Sequence, residues 1–91
     1  MIVIVDMTCR ESLFAEFVQP ILDVVDGVVM PYTMPIPKKA TRIILSGTAL
    51  KDDEYLKHLD AFAWLRETKV PVLGICAGMH VIGLVHGAKT R

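Results

Sequence analysis

A single cysteine between two glycines, Cys76 between Gly74 and Gly78, is the part of this sequence best suited to chemistry. It lies where the short apolar run from Val72 meets a predicted helix, in the segment Val-Leu-Gly-Ile-Cys-Ala-Gly-Met-His. A strand must turn sharply into a helix there, and a Cβ at either glycine would collide with neighbouring backbone. The turn would push the thiol outward. This pattern predicts a nucleophile elbow with Cys76 as the nucleophile.

The predicted place of Cys76 at a helix N-terminus also suits acyl transfer. Unpaired backbone N–H groups and the positive end of the helix dipole favour negative charge on sulfur, and later on a tetrahedral intermediate. A structural role is the alternative, because free cysteine is often buried and glycines mark ordinary turns. The glycines on both sides, and an upstream turn at Ser46-Gly47-Thr48 whose amides can face an anion, favour the catalytic interpretation.

Length and composition limit the class of protein. The chain has 91 residues, 53% of them hydrophobic, with ten acidic and ten basic side chains. A chain this short buries about 60–65% of its unfolded surface, so an open sheet needs cover from another chain, such as a second copy. The balanced charge gives no footprint for nucleic acid, and no apolar run approaches the roughly 20 residues that cross a bilayer. With no signal peptide and only two cysteines, a reducing cytoplasm is expected.

Strand and helix signals alternate along the chain, which predicts an α/β fold with an open parallel sheet. Four strands are predicted at residues 2–6, 24–30, 42–45 and 72–75, and the second of them starts either at Val24 or after Gly27. A helix after the first strand should end or kink at Pro20, and a second should occupy residues 52–66 with Asp52, Asp53 and Glu54 in its first turn. A third helix is expected from about Gly78 to His86, with Gly87 as its C-terminal cap.

Ligands of an open parallel sheet bind at the carboxyl ends of its strands, where residues 6–9, residues 46–49 and Cys76 should meet. Cys9 competes as a nucleophile, but it lacks flanking glycines, and Ala15 stands where a Cys-x5-Arg phosphatase loop needs arginine. Cys9 is therefore predicted to be structural. No cluster has metal-ligand spacing, and the glycines fit neither a dinucleotide nor a phosphate loop, so no metal or cofactor is predicted.

Two segments resemble the class I (triad) glutamine amidotransferases: Ile43-Ile-Leu-Ser-Gly-Thr48, and Val70-Pro-Val-Leu-Gly-Ile-Cys-Ala-Gly-Met79. The family pattern is a strand ending in Ser-Gly-Gly-Pro, a helix, and then Gly-(apolar)-Cys-x-Gly-x-Gln. The similarity is specific over residues 43–87 and general over residues 1–42. It implies a flavodoxin-like fold with helices on both sheet faces, and it identifies residues 1–91 as the N-terminal half of one such domain.

The resemblance also implies roles for individual residues. Cys76 would attack the side-chain amide of glutamine to give a glutamyl thioester and ammonia, which passes to a synthetase subunit. The backbone N–H groups of Gly47 and Ala77 would form the oxyanion hole. The other positions that match the substrate pocket are Ser46, Thr48 and His80.

Three departures from the family pattern stand out. Thr48 replaces a glycine and should stiffen or redirect the oxyanion loop, because threonine resists positive φ. His80 replaces a glutamine. The family's His-x-Glu, which supplies the general base and the proton donor, is absent from these 91 residues, so the chain alone is expected to be a poor glutaminase or none. His80 is a weak substitute because it lies on the same helix as Cys76, and His58 and His86 are predicted on the surface.

Four interpretations remain open from the sequence. The chain is half of a glutamine amidotransferase domain, or a short protein that completes its sheet by pairing with itself or another chain as a binding module. It also fits the DJ-1/PfpI-like branch of the superfamily, although that branch usually has histidine after the cysteine and this chain has Ala77. The fourth is a flavodoxin-like domain without catalysis.

Overall fold

A parallel sheet of four strands organises the computed structural model, which describes residues 1–8, 11–49, 52 and 54–86. The strands are β1 (Ile2–Asp6), β2 (Val28–Pro31), β3 (Arg42–Leu45) and β4 (Val72–Gly74). Their order is β2-β1-β3-β4, and every neighbouring pair is parallel. The predicted parallel α/β architecture is therefore confirmed, and β1 and β3 have the predicted bounds.

Helical segments lie between β1 and β2, between β3 and β4, and after β4. They are α1 (Glu11–Phe17), α2 (Gln19–Leu22), a 3₁₀ segment (Glu54–Arg66) and α3 (Ala77–Val85). The interruption predicted at Pro20 is present, since α1 and α2 are separated at Val18 and Pro20 lies in the first turn of α2. Proline is tolerated there because the first N–H groups of a helix have no intrahelical partner.

Helices cover both faces of the sheet, as predicted. Successive side chains of a strand point to opposite faces. Val3 and Val5 join the larger core beneath the 3₁₀ segment and α3, which also contains Phe62 and Val81. Between them, Ile4 joins a smaller core with α1 and α2 that contains Val18 and Ile21.

Of the two predicted starts for the second strand, the one after Gly27 is confirmed, because β2 begins at Val28. The amides of Val24 and Val25 donate to the carbonyl of Ile21 and prolong the turn after α2. The predicted helix 52–66 is a 3₁₀ segment that starts at Glu54 and is broken at His58, whose φ is −127° and ψ 35°. The predictions for Cys9, Asp53 and Gly87 fall outside the described residues.

The second face of the sheet loses its cover toward β4. Ile4, Ile44 and Leu73 are register partners across β1, β3 and β4. Ile4 is fully buried, Ile44 is partly buried, and Leu73 at the edge is 59% exposed. Ile75 is also exposed nearby. No helix within the described ranges combines the length and apolar character needed to cross a bilayer.

Candidate active site

Cys76 adopts a strained backbone conformation between β4 and α3. Its φ is 50° and its ψ −106°, and among the described residues no other non-glycine has a positive φ. Two hydrogen bonds close the turn: the Gly78 N–H donates to the Ile75 carbonyl at 2.9 Å, and the His80 N–H donates to the Cys76 carbonyl at 3.0 Å. The side chain of Cys76 is exposed. Strain of this kind persists where the surrounding structure enforces it, and it is concentrated at functional sites.

Gly74 and Gly78 enforce this turn by allowing close backbone packing. A Cβ built on Gly74 would lie 2.6 Å from the Met79 nitrogen. One built on Gly78 would lie 2.5 Å from both the carbonyl oxygen and the Cβ of Leu45. Any side chain at either position would have to displace α3 from the sheet, so these two glycines hold the first turn of α3 against β3 and β4.

The turn after β3 is held by Ser46. The Ser46 N–H donates to the Val5 carbonyl at 3.0 Å, while the Ser46 hydroxyl accepts from the Met7 N–H at 3.0 Å. The same hydroxyl donates to the Gly47 carbonyl at 3.1 Å. Ser46 is fully buried. Its hydroxyl therefore joins the turns after β1 and β3 and does not face the cleft described below, where the resemblance had placed it as a substrate-pocket residue.

Gly47 lies directly against Cys76. A Cβ built on Gly47 would be 3.4 Å from the Cys76 Cβ and 3.5 Å from the Ile75 carbonyl oxygen. Ala77, on the other side of Cys76, is the first residue of α3. Within the described part of the chain, neither the Gly47 nor the Ala77 N–H has a hydrogen-bond acceptor. The two amides predicted to form the oxyanion hole thus both adjoin the thiol-bearing residue.

A cleft of about 280 Å³ opens beside Cys76, and we call it the polar cleft. Its lining residues are Thr48, Ala49, Tyr55, Cys76, Ala77 and His80. The Tyr55 hydroxyl lies 3.3 Å from His80 Nδ1, and the two rings meet edge to face at 6.3 Å between centroids. Tyr55 therefore ties the start of the 3₁₀ segment to α3 and holds the His80 ring.

A second cavity, the apolar groove, reaches Cys76 from the opposite sheet face. It measures about 380 Å³, and its apolar lining comprises Phe17, Pro20, Ile21, Val24, Val25, Ile44, Leu73 and Ile75. Glu16, Gly47 and Cys76 complete it. Cys76 lines both cavities, so it can be reached from both faces of the sheet.

The structure brings most of the predicted site residues together. Thr48, Ala77 and His80 share the polar cleft with Cys76, Gly47 adjoins it, and Gly74 and Gly78 support the elbow from behind. Two residues of this region were not predicted for it. Tyr55 falls within the predicted helix 52–66 and was given no role in the site, and its contact with His80 spans 25 positions. Asp52 was assigned to a first helical turn, but it is buried and accepts a hydrogen bond from Thr48.

The two other histidines lie away from the cleft. The His58 side chain is 48% exposed, with its Nε2 3.6 Å from Glu54 Oε1. His86 is exposed at the end of α3. Across the described ranges, no three His, Cys, Asp or Glu side chains are grouped closely enough to hold a metal ion. His80 is therefore the histidine that shares a cavity with the thiol.

An exposed cysteine on a strained strand-to-helix turn, at the carboxyl edge of a parallel sheet, defines an α/β protein with a cysteine elbow. The sequence matches the model of the family described as glutamine amidotransferase class-I over residues 4–91. The chain therefore belongs to the class I glutamine amidotransferase family, as the resemblance in two short segments predicted. A search of curated proteins found no match.

Proposed function

We propose that this chain supplies the nucleophile and oxyanion hole of a glutaminase. The Cys76 sulfur attacks the side-chain amide carbon of glutamine, the carbon–nitrogen bond breaks, and the products are a glutamyl thioester and ammonia. Water then releases glutamate and regenerates the thiol, while the ammonia passes to a synthetase. Because a free reactive thiol survives in a reducing compartment, we assign the protein to the cytoplasm.

The observation that carries this proposal is the position of Cys76 between Gly47, which lies against it, and Ala77, which follows it in the chain. An amide carbonyl under attack develops negative charge on oxygen, and fixed N–H donors stabilise that charge. In enzymes that use such donors, removing one slows the reaction by about 100- to 1000-fold. The N–H groups of Gly47 and Ala77 have no acceptor among the described residues, so we propose that they are these donors. The polar cleft, with Thr48, Tyr55 and His80, offers polar groups for the remainder of the glutamine molecule.

The general base is proposed to come from the rest of the domain. The sequence has histidines at positions 58, 80 and 86, and none begins a His-x-Glu. His80 shares the cleft with Cys76, but it follows Cys76 by one turn of α3, and its Nδ1 lies at the Tyr55 hydroxyl. We infer that residues 1–91 are the N-terminal half of the domain, and that a His-x-Glu in the completing half removes the thiol proton and protonates the leaving ammonia.

Site-specific labelling tests the nucleophile. A chloroketone analogue of glutamine should alkylate Cys76 in preference to Cys9, and free glutamine should slow the labelling. Peptide mass mapping of the wild type, with Cys9→Ser and Cys76→Gly as matched single-cysteine controls, measures each site. Equal labelling of the two cysteines, or preferential labelling of Cys9, would contradict the proposal.

A binding or assembly role is the second candidate, and the uncovered β4 edge favours it. Parallel sheets are normally covered on both faces. Leu73 and Ile75 are 59% and 37% exposed on this edge. We expect this surface to pair with a second copy, or with the completing half or a synthetase subunit. Sedimentation velocity of the chain should show a dimer or larger species that Leu73→Lys shifts toward monomer, and a wild type that stays monomeric at high concentration would reject self-association.

A further inference from the structure

A buried polar pair lies immediately behind the polar cleft. The Thr48 hydroxyl donates to Asp52 Oδ2 at 2.6 Å. Thr48 is 8% exposed and Asp52 is 6% exposed, so water competes little for this hydrogen bond. The Asp52 N–H also donates to the Ala49 carbonyl at 2.9 Å. A side-chain and a backbone hydrogen bond therefore link Asp52 to Thr48 and Ala49.

Thr48, which donates to Asp52, directly follows the glycine that lies against Cys76. Gly47 lies against Cys76, and Thr48 lines the polar cleft. The Gly47 N–H belongs to the peptide that joins Ser46 to Gly47, and the Ser46 hydroxyl holds the Gly47 carbonyl at 3.1 Å. Thr48 anchors the other side of Gly47 through its hydrogen bond to Asp52, and its φ is not positive. The carboxylate of Asp52 therefore helps to fix the backbone that flanks Gly47.

We propose that Asp52, acting through Thr48, is a positioning residue that aims the Gly47 N–H at the oxyanion formed on Cys76. This inference rests on the glutaminase function proposed above. Stabilisation of an oxyanion depends on donors that are fixed before the reaction, and a displacement of about 1 Å can cost on the order of 100-fold in rate. The short hydrogen bond to a carboxylate is of the strong kind that can hold such a donor.

Two alkylating reagents distinguish a role of Asp52 in positioning the Gly47 N–H from a role in the stability of the fold. A chloroketone carries a carbonyl oxygen that gains negative charge as the sulfur adds, and the reaction ends with a new carbon–sulfur bond and loss of chloride. Iodoacetamide alkylates the same sulfur by direct displacement of iodide, without charge on a carbonyl oxygen. Only the first reaction needs an oriented Gly47 amide. The rate ratio of the two reagents at Cys76 therefore reports on the oxyanion hole.

The variants Thr48→Val, Thr48→Ser and Asp52→Asn test the pair in a Cys9→Ser background. Thr48→Val keeps the side-chain shape but removes the hydroxyl, so the glutamine chloroketone should react about tenfold more slowly while the iodoacetamide rate stays within about twofold. Asp52→Asn should show an intermediate loss. Thr48→Ser should restore most of the chloroketone rate, because it keeps the hydroxyl. Urea unfolding of each variant gives the folded fraction used to correct the rates.

The outcomes distinguish this inference from the proposed function. Equal slowing of both reagents by Thr48→Val, or no slowing of either, would overturn the positioning role. Chloroacetone, which lacks the amino acid head group, is measured alongside. If the wild type reacts no faster with the glutamine analogue than with chloroacetone, the glutaminase proposal fails. The ratio of chloroacetone to iodoacetamide rates in the same variants still decides the positioning role, since chloroacetone carries the same carbonyl.

Discussion

The two turns that meet at Cys76 are held by different physical means. The turn after β4 depends on the absence of side chains, because Gly74 and Gly78 let α3 pack against backbone atoms at distances that exclude a Cβ. The turn after β3 depends on the presence of side chains, because hydroxyl groups of Ser46 and Thr48 replace the hydrogen bonds that a regular element would make. The first turn fixes the backbone of Cys76, and the second fixes the residues on either side of Gly47, which lies against Cys76.

This difference determines how each turn should respond to substitution. Adding atoms to the glycine-based turn forces apart elements that are already in contact, which carries a steric penalty. Removing a hydroxyl from the other turn leaves the buried Met7 N–H without its acceptor, or the buried Asp52 carboxylate with one hydrogen bond fewer, and either loss destabilises the fold. The three substitutions below test the comparison, beginning with the largest expected effect.

Gly78→Ala should destabilise the protein most. Its Cβ would lie 2.5 Å from the Leu45 carbonyl oxygen, and overpacking of this kind costs about 3 kcal/mol in free energy of unfolding. Gly47→Ala is the matched control, because the nearest atoms to its Cβ lie at 3.4 Å, an ordinary contact. Urea unfolding measures both. A loss at Gly78 no larger than that at Gly47 would show that the elbow tolerates displacement of α3.

Ser46→Ala should have the next largest effect. It leaves the buried Met7 N–H without an acceptor, and an unsatisfied buried donor costs about 2 kcal/mol in free energy of unfolding. Thr68→Ala is the control, since Thr68 accepts a comparable hydrogen bond from the Val70 N–H in a partly exposed position. Similar losses for the two variants in the same unfolding assay would mean that burial does not set the strength of the β3 turn.

Substitution of Cys76 should have the smallest effect on the free energy of unfolding. A φ of 50° with a ψ of −106° disfavours any residue with a Cβ, so Cys76→Gly should be about 1 kcal/mol more stable than Cys76→Ala. The comparison uses two inactive variants, which removes any contribution of the thiol. Thermal unfolding of both proteins measures the difference. If alanine proves as stable as glycine, the elbow is not strained in solution.

Much of the fold could be predicted because local patterns encode it. The short apolar runs of β1 and β3 located both strands at their observed bounds. The same apolar signal left the start of the second strand open between Val24 and the residue after Gly27. The chain continues the turn after α2 at Val24, which is 83% exposed. Hydrophobicity records a preference for burial, but it does not say whether the backbone there is strand or turn.

The residues of the candidate site also differ in how far the sequence predicts their roles. The elbow was predictable because its steric requirement is recorded as glycines at fixed spacing around Cys76. The partners Asp52 and Tyr55 were not, because their roles depend on contacts with Thr48 and His80 that form only when separate elements pack. An acidic residue before a helix resembles a helix start whether or not its carboxylate holds a neighbouring loop.

The apolar groove beside Cys76 has a consequence for the design of covalent inhibitors. An electrophile that reaches the Cys76 sulfur through the polar cleft must form hydrogen bonds with hydroxyl and imidazole groups. One that reaches it from the other sheet face meets side chains such as Leu73, Ile75 and Pro20. Electrophiles with small apolar substituents should therefore alkylate Cys76 without resembling an amino acid. The two cavities thus offer inhibitor design two independent routes to the same sulfur.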